Sequence, residues 1–163
     1  MNSTMRRAAT LIVLVCIVAG CGAAGASSPS ESPGVFITRI LREEINGQWG
    51  RQWGELHPAH QRLITRAQYV ACSREMATNI ATGHEVFHVL DVRNETIHVQ
   101  GVPQRSSKLV TISFNARGSA DALTYRLHAV DVNGRWAWIL GPAFIKAVDH
   151  GRCLDGSPLR ERA

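Results

Sequence analysis

Residues 123–140 read LTYRLHAVDVNGRWAWIL, two extended runs on either side of Asn133-Gly134. Asn-Gly between such runs is a strong short-range hairpin signal, because both turn positions need positive φ and these two residue types reach it at least cost. Alternation along the second run then puts Trp136 and Trp138 on one face. Upstream, Val110, Ile112 and Phe114 alternate with Thr111, Ser113 and Asn115, a further strand pattern. Val86, Phe87, Val89, Leu90 and Val92 open another strand, residues 96–102 continue the extended pattern, and a loop is predicted over residues 103–108. Gly141-Pro142 ends or bulges the last strand, since proline cannot donate to a ladder, and the extended pattern is expected to reach Asp149.

The preceding part of the chain is helical. Phe36, Ile37, Ile40, Leu41 and Ile45 recur at three and four residues, with Arg39, Arg42 and Glu43 opposite, and Asn46-Gly47 supplies a stop. Trp49, Trp53 and Leu56 mark a second helix that ends at His57-Pro58, because proline disfavours helical geometry in the residue before it. Thr65 and Gln68 form a capping box for a third helix, on which Tyr69, Cys72 and Met76 share a face. Helices followed by strands predict an α+β domain with helices on one face of an antiparallel sheet.

The chain opens MNSTMRRAATLIVLVCIVAGC: Arg6 and Arg7, then an apolar run over residues 8–20, then Cys21. That run is shorter than the ~20 residues a helix needs to cross a hydrocarbon core and matches a secretory signal. Its end resembles the bacterial lipobox. The resemblance implies cleavage after Gly20, diacylglyceryl transfer to the Cys21 thiol and acylation of the new amino group, leaving residues 1–20 as signal peptide. Residues 21–34 are then the lipidated cysteine and a Gly/Ala/Ser/Pro-rich flexible tether, residues 35–153 the folded domain and residues 154–163 a tail.

At 163 residues with 45% apolar content, the chain holds one ordinary domain rather than two. The formal net charge is +5, but two of the 18 basic residues sit in the leader and the rest are scattered, which argues against nucleic acid as a partner. Of the four cysteines, Cys16 leaves with the leader and Cys21 takes lipid, so Cys72 and Cys153 remain as a pair for one extracytoplasmic disulfide.

Taken together, the lipobox, GQWGRQWGELHPAHQRLITRAQYVAC, VLDVRNETIHVQGVP, KLVTISF and YRLHAVDVNGRWAWIL followed by GRC resemble small actinobacterial lipoproteins of the nuclear transport factor 2-like superfamily, a cystatin-like α+β fold. The resemblance implies a curved, cone-shaped antiparallel sheet wrapped around N-terminal helices, with a pocket between them. In the enzymes of that superfamily acids, His or Tyr project into the cone; Asp91, Tyr125, His128 and Asp131 lie on strands here.

Trp49, Trp53, Tyr125, Trp136 and Trp138 are the candidate pocket for a small apolar ligand, with plain core as the alternative for the tryptophans. His57 and His60 stand three apart beside Pro58, at a helix end where capping or solvated histidines are commoner than metal ligands. His84-Glu85-Val86-Phe87-His88 matches H-E-x-x-H, the zinc-peptidase helix motif. On a strand its two histidines stand about 13 Å apart, too far to share a metal. No cofactor or metal is therefore expected. The expected function is a lipid-anchored, extracytoplasmic, non-catalytic binding or accessory module for a small apolar ligand or a cell-envelope protein. The alternatives are an isomerase or hydrolase using the cone pocket, or a zinc metallopeptidase using His84 and His88.

Overall fold

The computed structural model describes residues 29–77, 86–115 and 122–159. Among the described residues four helices come first, α1 (Pro33–Ile45), α2 (Trp49–Gly54), α3 (Pro58–Gln61) and α4 (Arg66–Ala77). Strands β1 (Phe87–Val99), β2 (Val102–Asn115), β3 (Ala122–Asp131) and β4 (Trp136–Trp138) follow, and α5 (Pro142–Asp149) comes last. The strands form one open antiparallel sheet in the order β1-β2-β3-β4, so the class is α+β.

Local chemistry sets the helix ends. The Ser32 hydroxyl accepts from the Val35 N–H at 3.3 Å and Pro33 occupies the first helical position, so α1 begins two residues before the expected boundary at Val35. Its other end is closed by Asn46 and by Gly47 at φ 68°. The capping box of α4 is present: Thr65 Oγ1 accepts from the Gln68 N–H at 3.3 Å, and Gln68 Oε1 accepts from the Thr65 N–H at 3.0 Å.

Asn133 and Gly134 turn the β3–β4 hairpin at φ 56° and 78°. The Val132 and Arg135 backbones bond across the turn, and Asp131 Oδ1 accepts from the Gly134 N–H at 2.7 Å.

Three expectations change. Residues 103–108 are not a loop but part of β2; Pro103 is tolerated there because β2 pairs with β3 only from Lys108 onward, so no second ladder needs its missing N–H. Residues 96–102 do not continue as one extended run: β1 ends at Val99, and Gly101 at φ 75° turns the chain back into β2 at Val102. Residues 142–149 are a helix, with Pro142 at its first position and Phe144, Ile145 and Val148 buried along one side.

The second helix also stops earlier than expected, at Gly54, and Leu56 lies alongside Trp138 in a parallel bridge.

Cross-strand register defines the two sheet faces. Phe87, Val89 and Val92 of β1 stand opposite Phe114, Ile112 and Val110 of β2, which stand opposite Leu123, Tyr125 and Leu127 of β3. This face receives the helices: α1 touches all four strands through Phe36, Ile37 and Ile40, which are wholly buried with Val110 and Ile112. Successive residues Ala129 and Val130 fall in different clusters, as alternation requires. Val130 joins Ile97, Val102, Ile139 and Ala59 of α3 in a smaller cluster on the other side.

Cys72 on α4 and Cys153 beyond α5 form a disulfide across a sequence separation of 81, with Cα atoms 5.4 Å apart. Beyond the bridge, the Cys153 N–H bonds Ser157 O and the Leu159 N–H bonds Gly151 O, so residues 154–159 fold back onto the domain.

Candidate functional site

The five candidate pocket residues do not line one cavity. Trp138 is core: its indole N–H donates to Gln52 O at 2.9 Å and its ring meets Tyr69 edge-on at 6.2 Å. Tyr69 in turn donates to Gln52 Oε1, and burial pushes its hydroxyl far above the usual tyrosine range. Trp53 donates to Ile64 O at 3.0 Å, and Trp49 packs beside it against the same core. Trp136 lines a groove. It is half-buried, donates to Glu31 O at 2.8 Å, and lies between a cleft of about 230 Å³ and a smaller one of about 130 Å³ that also involve Glu55 and Arg135.

Tyr125 stands apart, in a row of rings across three strands. Phe87 and Phe114 are 5.4 Å apart, and Phe114 stacks on Tyr125 at 5.4 Å. Among the described residues no helix covers this row: Val89 is 45%, Val92 42%, Leu123 46% and Tyr125 41% exposed, all on the face that is core elsewhere. Scattered surface apolar residues are ordinary, whereas several on one face form a patch available for contact. The strand pattern placed Tyr125 on a strand without fixing which face it takes, and it carried no signal of how far the helices cover that face.

The opposite face carries a polar contact beside its smaller apolar cluster. Ser107 donates to Glu95 O at 2.9 Å, and His128 Nδ1 lies 2.9 Å from the same hydroxyl. Burial lowers the pKa of His128 and the nearby Glu95 carboxylate opposes that shift. Ser107 is 3% exposed and mid-strand, with Glu95 as its cross-strand partner, so the pair ties β1, β2 and β3 together.

Charge gathers where α1 meets the segment before it and α2. Arg39 bridges Glu31 at 2.8 Å and Glu55 at 3.1 Å, and lies 3.5 Å from Glu43, which Arg51 also approaches at 3.3 Å. Burial raises the pKa of Glu43, and Arg39 and Arg51 pull it back. This network pins the chain before α1 onto the domain.

His57 and His60 are structural. His57 Nδ1 accepts from the Ala59 N–H at 3.2 Å and caps α3. His60, fully buried, accepts from the Leu140 N–H through Nδ1 at 2.9 Å and faces Gln100 O through Nε2 at 3.2 Å, which fixes the neutral Nε2–H tautomer. Burial lowers the pKa of both; for His57, Arg105, His60 and Arg62 add to the effect, and for His60 the bond to Gln100 opposes it. Folded-state values below the ordinary 6.5 mean that the unfolded chain takes up protons first as pH falls. Their stabilisation is complete above pH 6.5 and is lost as pH drops below it through the depressed folded values. In urea unfolding from pH 7.5 to 5, the wild type should lose stability relative to His60→Gln, at no more than about 1.4 kcal/mol per pH unit for the one proton. A pH-independent difference between the two proteins would remove His60 from this account.

Of H-E-x-x-H, His88 lies on β1, and His84 and Glu85 fall outside the described residues, as does Cys21. Glu75, Cys153 and Asp155 come close enough together to suggest metal ligation, but the Cys153 sulfur is committed to the disulfide. Among the described residues no helix is long and apolar enough to cross a membrane. No protein-family model, curated protein or solved structure matches the chain.

Proposed function

We propose that this chain is a lipid-anchored, extracytoplasmic binding or accessory module of the nuclear transport factor 2-like type, acting by contact rather than catalysis through the open apolar end of its sheet. The observation that carries the reading is the ring row Phe87, Phe114 and Tyr125, with Val89 and Leu123 exposed beside it on the same face. The leader ending at Cys21 and the Cys72–Cys153 bridge support the compartment, since structural disulfides belong to oxidising surroundings. The ligand class is apolar: the patch offers one phenolic hydroxyl, on Tyr125, among aliphatic and aromatic carbon.

Titration with the apolar dye Nile red tests this. Wild type should bind with enhanced, blue-shifted fluorescence, and Leu123→Ser/Tyr125→Ser should lose most of the signal while melting at nearly the same temperature, because both side chains are more than 40% exposed. Equal dye binding by the two proteins would move the contact surface elsewhere.

A hydrolase reading has one observation in its favour, the Ser107–His128 contact at 2.9 Å. It requires Ser107 to react with a fluorophosphonate and Ser107→Ala to abolish labelling. With its hydroxyl already spanning Glu95 and His128 inside the sheet, the expected result is no labelling.

A further inference from the structure

The open apolar end of the sheet lies beside the point where the chain leaves the domain. Gly34, in the first turn of α1, sits so close to β1 that a Cβ there would come within 3.3 Å of both Val89 methyl groups. Val35, next in sequence, is 59% exposed. The residues just before are held in place: Ser32 caps α1, Glu31 O accepts from Trp136 Nε1, and the Glu31 carboxylate pairs with Arg39. The exit is therefore a fixed point on the surface, with Trp136 and Arg135 on one side and, through Gly34, Val89 on the other.

We infer that this apolar end seats the domain on the bilayer that anchors it, a conclusion that rests on the lipid-anchored reading above. From Cys21 to Pro29 the sequence is CGAAGASSP, with no charged residue. Eight residue steps span at most about 28 Å when fully extended. A Gly/Ser-rich sequence of that many steps has an average end-to-end span of about 16 Å. A domain of this size has a radius of gyration of about 14 Å, so the average tether is shorter than the domain is wide. A lipidated Cys21 thus holds the exit side towards the membrane; Arg39, Glu55 and Arg135 border that exit on the β4 side, and on the β1 side stand the exposed apolar Val35 and Val89, continued across the sheet by Val92, Leu123 and Tyr125. Such a face lowers its free energy by entering the boundary between headgroups and acyl chains, to a depth of about 5–10 Å. The several acyl chains expected at Cys21 already make the attachment stable, so the added apolar contact sets the orientation of the domain on the bilayer.

The experiment uses the full chain, purified from membranes in detergent and returned to vesicles of phosphatidylethanolamine and phosphatidylglycerol that carry doxyl groups high on the acyl chain. Intact mass first establishes whether Cys21 is acylated. With Cys72 and Cys153 bridged, a single introduced cysteine then takes an environment-sensitive fluorophore. Labels at Leu123→Cys and, separately, Val92→Cys should shift to the blue and be quenched, whereas a label at Leu154→Cys, exposed on the C-terminal turn, should show neither change. Acylated protein whose labels at both 123 and 92 stay unquenched overturns the inference. Self-quenching between labels at 123 would do the same by assigning the face to a second copy. An unacylated Cys21 removes the anchor reading itself, and the membrane contact falls with it.

Discussion

Replacing Cys72 and Cys153 together by alanine is expected to lower the unfolding free energy by about 4.5 kcal/mol, the loop-closure value for a bridge across 81 residues. A domain of this size is stable by only about 5–15 kcal/mol, so the change takes away a large part of the total and the melting temperature should fall by about 10–15 °C. The structural reason is where the bridge lies. Cys72 faces inward from α4 and Cys153 follows the short α5; beyond it residues 154–159 are held by backbone bonds at Ser157 and Leu159, the Arg152–Pro158 bridge and the Ser157 hydroxyl donating to Glu75. Melting the wild type with and without reductant should reproduce the same drop, while the double variant should be indifferent to reductant. A reductant-sensitive double variant would mean that the effect arises elsewhere.

Trp138→Ala is expected to cost about 3–5 kcal/mol, at the upper end for a buried aromatic residue. The ring packs with Tyr69, Leu56 and the α1 side chains, and its loss leaves Gln52 O without the indole N–H it accepts. Trp136, two residues earlier on the same strand, is half-buried and beside two grooves, so Trp136→Ala should cost clearly less in the same urea titration. Comparable losses would mean that Trp136 is as much core as Trp138. A Trp138→Ala protein of wild-type stability would contradict its place in the core.

The strands and helices were legible to different degrees, for physical reasons. The Asn133-Gly134 hairpin, the Thr65/Gln68 capping box and the α1 apolar stripe each depend on contacts within a few residues, and each is present. Cys72 facing inward followed from the same helix face that buries Tyr69. Pro103 misled because whether proline breaks a strand depends on which neighbours pair with it, and that is a property of the sheet rather than of the segment. Pro142 misled in the opposite sense: proline that cannot continue a strand is well placed to start a helix, and PAFIKAVD then repeats its apolar residues at helical spacing.

The candidate site was the least legible part. Four tryptophans suggested a pocket, but a large ring with one N–H serves equally well as core when a carbonyl lies within reach, as Ile64 O and Gln52 O do. Tyr125 was singled out from its strand, yet its partners Phe87 and Phe114 are remote in sequence and meet it only through the β1–β2–β3 register. The burial of His60 depends likewise on Gln100 and Leu140, 40 and 80 residues away.

The most direct test of the central claim is the intact mass of the full-length gene product extracted from the membrane fraction under non-reducing conditions. The account predicts a chain that begins at Cys21, carries diacylglyceryl and amide-linked acyl groups there, and is two hydrogens lighter than the dithiol form. A soluble chain that retains residues 1–20, or one that starts elsewhere without lipid, would contradict it.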